Sequence, residues 1–267
     1  MKKIFISIIS ILMLFNGISA FAWGPKGHDV VAAIAEKNLT KKARKQLDKL
    51  LDGRSIVYYS SWMDGIQNSP YWENGYNKTK TWHYANVDKG QTYQTMKKNE
   101  NGDVVTGLEF LTKELTENYD NLTDSMKVDY VKMIVHMVGD MHCPMHAGRL
   151  SDLGGNKTPV KWFGEKTNMH SVWDSKIIEA ARKWSYSEWR DHLDNTSPKF
   201  KKSVMRGTYE EWFVETVEGA AAFYEYVENM DKPNLSYQFI YDFSPLLEDR
   251  LLVGGYRLAY VLNTIFG

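Results

Sequence analysis

The 267 residues hold 33 basic and 33 acidic side chains and so carry no formal net charge, which excludes the basic footprint of a protein that grips nucleic acid through its general surface field. A single cysteine excludes an intrachain disulfide, so stability has to come from packing and from any bound metal.

In chain order, the first element is a leader. Lys2 and Lys3 precede an apolar run over residues 4–15, and Ala20 and Ala22 flank Phe21 in an A-x-A pattern. That layout predicts a secretory signal peptide over residues 1–22, cleaved before Trp23. An amino-terminal membrane anchor is the alternative, and it would leave the small-residue site a coincidence. Export then puts the protein in the periplasm or outside the cell, as a monomer with no stable membrane association. Residues 23–267 are long enough for a large core, and neither a Pro, Gly or Ser-rich stretch nor an internal repeat divides them, so they read as one domain. With Lys2 and Lys3 removed, 31 basic face 33 acidic residues. A polyanionic substrate would have to be met locally, by metals or a few side chains.

Beyond the leader the pattern is helical. Short helices are expected over 28–38, 41–51, 107–118 and 170–182. The longest signals are 124–141, 210–230 and 246–265. In the first, Val128, Val131, Ile134, Val135 and Val138 recur at three- and four-residue intervals behind Thr123, a suitable cap. The second carries Trp212, Val217, Ala220, Ala221, Tyr224 and Val227. The third carries Leu247, Leu251, Leu258 and Leu262, with Arg257 arguing against a membrane span. Strand signal is thin, best over 81–87 and 159–163. The expected fold class is all-α, a compact multi-helix single domain with at most a small β-hairpin.

Chemistry enters with the histidines. His136 and Asp140 stand four apart on one predicted helix, and His170 and Asp174 repeat the spacing on another. Each pair projects from one helical face with Cβ atoms about 5–6 Å apart, close enough to share a metal ion. In D-M-H-C-P-M-H, Pro144 ends or kinks the helix and His146 follows at the turn. A lone histidine is more often a buried ring bonded to a carbonyl. Asp140 and Asp174 resist that plain reading, because neither helix offers a Lys or Arg on the same face. Cleavage before W-G-P-K-G-H would also free an α-amine five residues ahead of His28. Amine and carbonyl of Trp23 could close a chelate that His28 completes, a donor set that suits zinc. An ordinary processed terminus with a surface tryptophan stays open beside it.

W-G-x-x-G-H from Trp23 to His28, W-x-D from Trp62 to Asp64, W-H-Y from Trp82 to Tyr84, H-x-x-x-D-x-H-x-P-x-H from His136 to His146, G-G-N from Gly154 to Asn156 and H-S-V-W-D from His170 to Asp174 occur in one order. Together they resemble the zinc-dependent type I single-strand-specific nucleases of plants and fungi, the mung bean nuclease family, within the superfamily that also holds zinc-dependent phospholipase C. The resemblance implies a phospholipase C/nuclease-like fold and three zinc ions. Asp64, His83, His136 and Asp140 would hold the first, His146, His170 and Asp174 the second, and Trp23 and His28 the third, with Asp140 bridging. His142 matches a histidine that braces its neighbours. The implied substrates are single-stranded DNA and RNA, cut to 5′-phosphate products, and 3′-nucleotides. Three divalent ions against three aspartates would leave a local charge of +3 for a polyanion.

Asp64, Gln67 and Asn156 are the catalytic candidates, and Asn86, Gly155 and Asn156 the substrate contacts. Gln67 and Asn86 depart from the pattern. The family usually carries a basic residue where Gln67 stands and an aspartate where Asn86 stands. A zinc phospholipase C typically ends its second pair in H-x-x-x-E, whereas Asp174 is an aspartate, and a non-catalytic exported zinc-binding protein is the remaining alternative.

Overall fold

The computed structural model describes residues 23–67, 69–70 and 76–267, so the signal-peptide reading of 1–22 lies outside the described residues. Two helices are buried almost all round, and they carry much of the site. Helix α1 (Pro25–Lys37) opens on a proline that is preset for the first helical turn, and its run Val30, Val31, Ala32, Ala33, Ile34, Ala35 is at most 3% exposed. In helix α5 (Asp124–Met141), capped by the Thr123 hydroxyl on Met126 N, buried residues run from Asp129 to Met141 with Lys132 the exception. A helix apolar on every face has to sit inside a bundle. Its wrapping here includes α2 (Lys41–Leu50), α4 (Val104–Glu117), α10 (Tyr209–Glu228) and the long α11 (Tyr237–Phe266).

The all-α expectation holds, with one small sheet. Strand β1 (Pro159–Trp162) pairs antiparallel with β2 (Glu165–Asn168), Pro159 opposite Asn168, and parallel with the two-residue β3 (Asn234–Leu235). Phe163 and Gly164 both have positive φ (50° and 89°), the turn geometry that matches strand twist in a two-residue hairpin. Strand β2 runs straight into α6 (Met169–Ser171), whose Asn168 cap accepts from Ser171 N, so the hairpin delivers His170 into a helix start.

Four expectations need correction. Residues 81–87 form no strand. Asn77–Thr81 is a 3-10 turn, and beyond it Ala85 N and Val87 N donate to the carbonyls of His146 and Gly148 at 3.0 and 3.1 Å. The extended, apolar-alternating look of that stretch serves irregular docking beside the His146 turn instead of a ladder. The 170–182 helix is broken by a π-type turn, Val172–Lys176, before α7 (Ile177–Ala181). The last helix starts nine residues earlier than position 246 and runs through Pro245, because the carbonyl that loses its amide partner belongs to Tyr241, on an exposed turn that water can reach. Short α3 (Trp62–Ile66), α8 (Tyr186–Leu193) and α9 (Pro198–Val204) were not anticipated.

Helices α1 and α11 approach so closely that a Cβ on Gly255 would lie 2.5 Å from Ile34 Cβ and Cγ2 and 3.2 Å from the Val31 carbonyl oxygen. Alanine there gains about 1 kcal/mol of helix propensity but overpacks the seam by about 1–3 kcal/mol. The Gly255→Ala variant is therefore expected to unfold at lower urea concentration than the parent, with an unchanged m-value; equal or higher midpoints would contradict this packing.

Candidate metal centre

The donors predicted from sequence arrive from six places along the chain and meet at one end of α5. His28 comes from the first turn of α1, Asp64 from α3, His83 from the irregular stretch after the 3-10 turn, and His136 and Asp140 from α5. Pro144 does end the α5 direction, and the 3-10 turn Pro144–Ala147 brings His146 back over it. His170 stands in α6, and Asp174 in the π-type turn, a wide turn often found at functional sites.

Around Asp140 the spacing is tight. Its Oδ2 lies 3.0 Å from His83 Nδ1 and 3.1 Å from His136 Nε2, and its Oδ1 lies 3.3 Å from His28 Nε2. Asp64 Oδ1 is 3.4 Å from His136 Nε2 and 3.6 Å from His83 Nδ1. The His28 and His136 rings stack at 4.0 Å. A second focus has His146 Nε2 4.0 Å from Asp174 Oδ1, with the His170 ring stacked 5.3 Å from that of His146. Among the described residues three groups offer donor atoms all within 4.8 Å of one another: His28, His136 and Asp140; Asp64, His83 and His136; and Cys143, His146 and Asp174.

Backbone carbonyls set the ring orientations. The Nδ1–H of His136 donates to the Ser60 carbonyl at 2.7 Å, that of His146 to the His83 carbonyl at 2.6 Å, and that of His170 to the Gly154 carbonyl at 2.8 Å. Each bond fixes the tautomer that leaves Nε2 with its lone pair, the arrangement that second-layer partners impose on metal-binding histidines. His83 is reversed: its Nδ1 faces the carboxylates while its Nε2 lies 3.0 Å from the Gln67 amide nitrogen. His28 is held instead by shape, since a Cβ on Gly139 would come within 2.7 Å of its Nδ1.

Electrostatically the cluster is short of cations. Among the described residues, the ion pairs of Asp64, Asp140 and Asp174 are all with histidines, never with Lys or Arg. Burial pushes the Asp140 carboxyl up, yet His136 and then His146 outweigh it and hold Asp140 well below the usual range. His136 is pressed down by burial but raised well above its ordinary value by Asp140 and Asp64. Burial, reinforced by the Asp140 and Asp64 charges, lifts Asp174 well above. Burial and the His136 charge lower His28, and burial takes His146 down to about 4.

Whether metal fits is answered by atoms without partners. His28 Nδ1 and Nε2, His146 Nε2, Asp140 Oδ1 and Asp174 Oδ1 are buried with no hydrogen bond among the described residues. Such atoms cost free energy unless something satisfies them. Imidazole nitrogens and carboxylate oxygens converging without a donor between them are a set that divalent cations, zinc in particular, satisfy.

The remaining predicted residues divide. Trp23 is 0% exposed, and Gly24 N donates to the Asp174 carbonyl at 2.7 Å, so this segment is tied to the second focus. That burial removes the surface-tryptophan reading. Gln67 Nε2 lies 3.3 Å from Asp64 Oδ1 and reaches the cluster edge. Asn86 donates to the Gly148 carbonyl at 2.9 Å and lines a cavity of about 180 Å³ with Tyr84 and Leu150. Gly155, at φ 82°, follows Leu153 and Gly154 in the left-handed region, and a Cβ there would lie 3.0 Å from Met145 Sδ. Asn156 bonds the Leu153 carbonyl at 2.9 Å, and its side chain makes no hydrogen bond to the metal-facing residues among the described ones. His142 is turned away, its Nδ1–H on the Val138 carbonyl at 2.7 Å and its Nε2 accepting from Arg257 at 3.1 Å. Arg257 in turn bonds Glu215 at 2.7 Å, so His142 braces the far side of α5 against α11 and α10. Sequence reasoning did not anticipate Cys143 among the donors, although D-M-H-C-P-M-H placed it between two of them.

Residues 23–267 match the family model described as S1/P1 Nuclease. The chain is similar to Endonuclease 2 of Arabidopsis thaliana, 28% identical over 97% of this chain and 96% of that protein. It is also similar to Endonuclease 4 of the same plant, 29% identical over 100% and 96%. Similarity to Nuclease S1 of Aspergillus oryzae is 24% identity over 92% of each chain.

Because a Cβ at Gly139 would lie 2.7 Å from His28 Nδ1, Gly139→Ala should displace that ring. Metal affinity of the purified variant is expected to fall about 10–100-fold, the usual penalty for disturbing a ligand's support, with the helical circular dichroism kept. Full metal content under dilute chelator would contradict the placement of His28.

Proposed function

The chain belongs to the S1/P1 nuclease family, and from that premise we propose that it is an exported, zinc-dependent endonuclease that hydrolyses single-stranded DNA and RNA to 5′-phosphate products and acts on 3′-nucleotides as well. The observation that carries the reading is the convergence of buried, partnerless imidazole and carboxylate atoms on one end of α5.

On this proposal Asp64, His83, His136 and Asp140 hold one zinc, His146, His170 and Asp174 a second, and His28 a third together with the amine and carbonyl that processing frees at Trp23. Asp140 would serve two of these sets, since its two oxygens face different histidines, Oδ2 toward His83 and His136 and Oδ1 toward His28. Zinc bound there supplies Lewis acidity, lowering the pKa of water toward neutrality and stabilising charge on a phosphate and its leaving oxygen.

The protein's own contribution is positioning. Asp64 Oδ1 faces both His83 and His136 from the cluster edge, where it can accept a proton from water and aim the oxygen at phosphorus. Gln67, whose amide nitrogen is held on Asp64 and His83, brings no charge to the cluster edge, so charge on the scissile group must be met by the metals. Asn86 and the adjoining cavity with Tyr84 provide a surface for a base, and the backbone of Gly155 with Asn156 flanks the His170 side. A stacked duplex cannot bring its phosphate into so buried a donor set, whereas a flexible single strand can. The apolar leader supports export to the periplasm or the medium. Among the described residues no helix is long and apolar enough to cross a membrane.

Two outcomes are expected. Purified mature protein given single-stranded RNA, single-stranded DNA, 3′-AMP and phosphatidylcholine should cleave the nucleic acids, and chelator should abolish cleavage; lipid cleavage alone, or activity indifferent to chelator, overturns the proposal. A chain carrying one extra residue ahead of Trp23 should bind one zinc fewer by metal counting and lose most activity, whereas full zinc content in that protein would rule out the amine as a ligand.

A further inference from the structure

Cys143 sits where D-M-H-C-P-M-H turns, at the cap of the Pro144–Ala147 turn, and is 0% exposed. It is the one cysteine of the chain. A buried thiol is ordinarily a small apolar filler. This one differs in its company. Its sulfur lies within 4.8 Å of an imidazole nitrogen of His146 and a carboxylate oxygen of Asp174. Independently, His146 Nε2 and Asp174 Oδ1, on side chains 3% and 5% exposed, have no hydrogen-bond partner among the described residues. Both residues belong to the same donor group as the sulfur. The His170 ring stacks against that of His146 from the other side.

We propose that Cys143 is a fourth protein ligand to the metal ion held by His146, His170 and Asp174. The inference rests on the metal reading above and adds a thiolate to it. Sulfur, two nitrogens and a carboxylate oxygen are a donor set that suits zinc, with bonds of about 2.0–2.3 Å. On binding, the thiol proton leaves to water and the sulfur bonds the metal as thiolate. A fourth protein donor has two chemical effects. It closes the coordination shell, as in structural sites, and it spreads negative charge onto the ion, which lowers its Lewis acidity. The ion at His146 would then serve mainly to hold the 3-10 turn, the π-type turn and the tied-in chain start together, leaving the Asp140-bridged positions as the reactive ones. Softness would also favour thiophilic metals at this position over the others.

Cobalt(II) exchanged into the full mature protein reads this directly. The expected result is bound cobalt with a sulfur-to-metal charge-transfer band in the near ultraviolet, absent from Cys143→Ala, which should also release one ion at least about tenfold more readily. Because no other cysteine exists, the parent spectrum alone decides the matter if the variant fails to fold. Bound cobalt without the band overturns the thiolate ligand and leaves the nuclease reading standing. A protein that binds no cobalt or zinc at all overturns both.

Discussion

Everything in this molecule is arranged around a charge deficit. Three aspartates, Asp64, Asp140 and Asp174, are sunk among imidazoles with no lysine or arginine in their ion pairs among the described residues. A carboxylate taken out of water needs a cation or several donors. Histidines can answer only by taking protons; Asp140 and Asp64 raise His136 in that direction, but burial drives His28 and His146 the other way. The protein's own groups therefore cannot settle the account, and divalent ions can.

The bundle keeps these donors close at a cost in packing freedom. Gly139 lets the His28 ring lie against α5, Gly254 makes room for His142, whose Cγ would be 3.2 Å from a Cβ there, and Gly255 lets α11 ride on Ile34 of α1. Small residues at these three points draw α1, α5 and α11 into contact, and each contact bears on a histidine or on the helix that carries one. Left-handed backbone at Leu153, Gly154 and Gly155 does similar work in the loop, where it aims the Gly154 carbonyl at His170. The helix interiors supply rigidity, and the irregular stretches supply aim.

Charge balance also shapes what kind of substrate such a surface suits. A chain with no formal net charge does not gather nucleic acid at long range. Attraction has to be local, which on the proposed reading places it at the metal positions and suits a chain flexible enough to reach inward. Gln67 and Asn86 lie at the rim of that region as neutral amides already bonded to protein partners, so recognition at the rim rests on shape and hydrogen bonding, with little charge.

Much was legible in the sequence because local rules govern it. The bounds of α5 follow from Thr123 and the valine spacing, and Pro144 marks its end. The motifs named nine ligand positions, and apart from Trp23 and His170 the described structure sets each of them within 4.0 Å of a partner donor. Errors arose where local rules lose to context. Pro245 reads as a breaker, yet an exposed turn around Tyr241 absorbs the lost bond and α11 runs on. Residues 81–87 look like a strand, but the partner they find is the single-turn segment at His146. Short α8 was overlooked although Ser185 and Glu188 form a capping box that the sequence displays. By itself, then, the sequence determined the bounds of α5 and an order of motifs that made nine residues candidates for metal binding, since residue type and motif order are local properties. Only the tertiary structure decided which donors face each other, that His83 presents Nδ1 while His136 and His146 present Nε2, and that Cys143 joins His146 and Asp174. Those outcomes hang on carbonyls and glycines far away in the chain, and no local spacing records them.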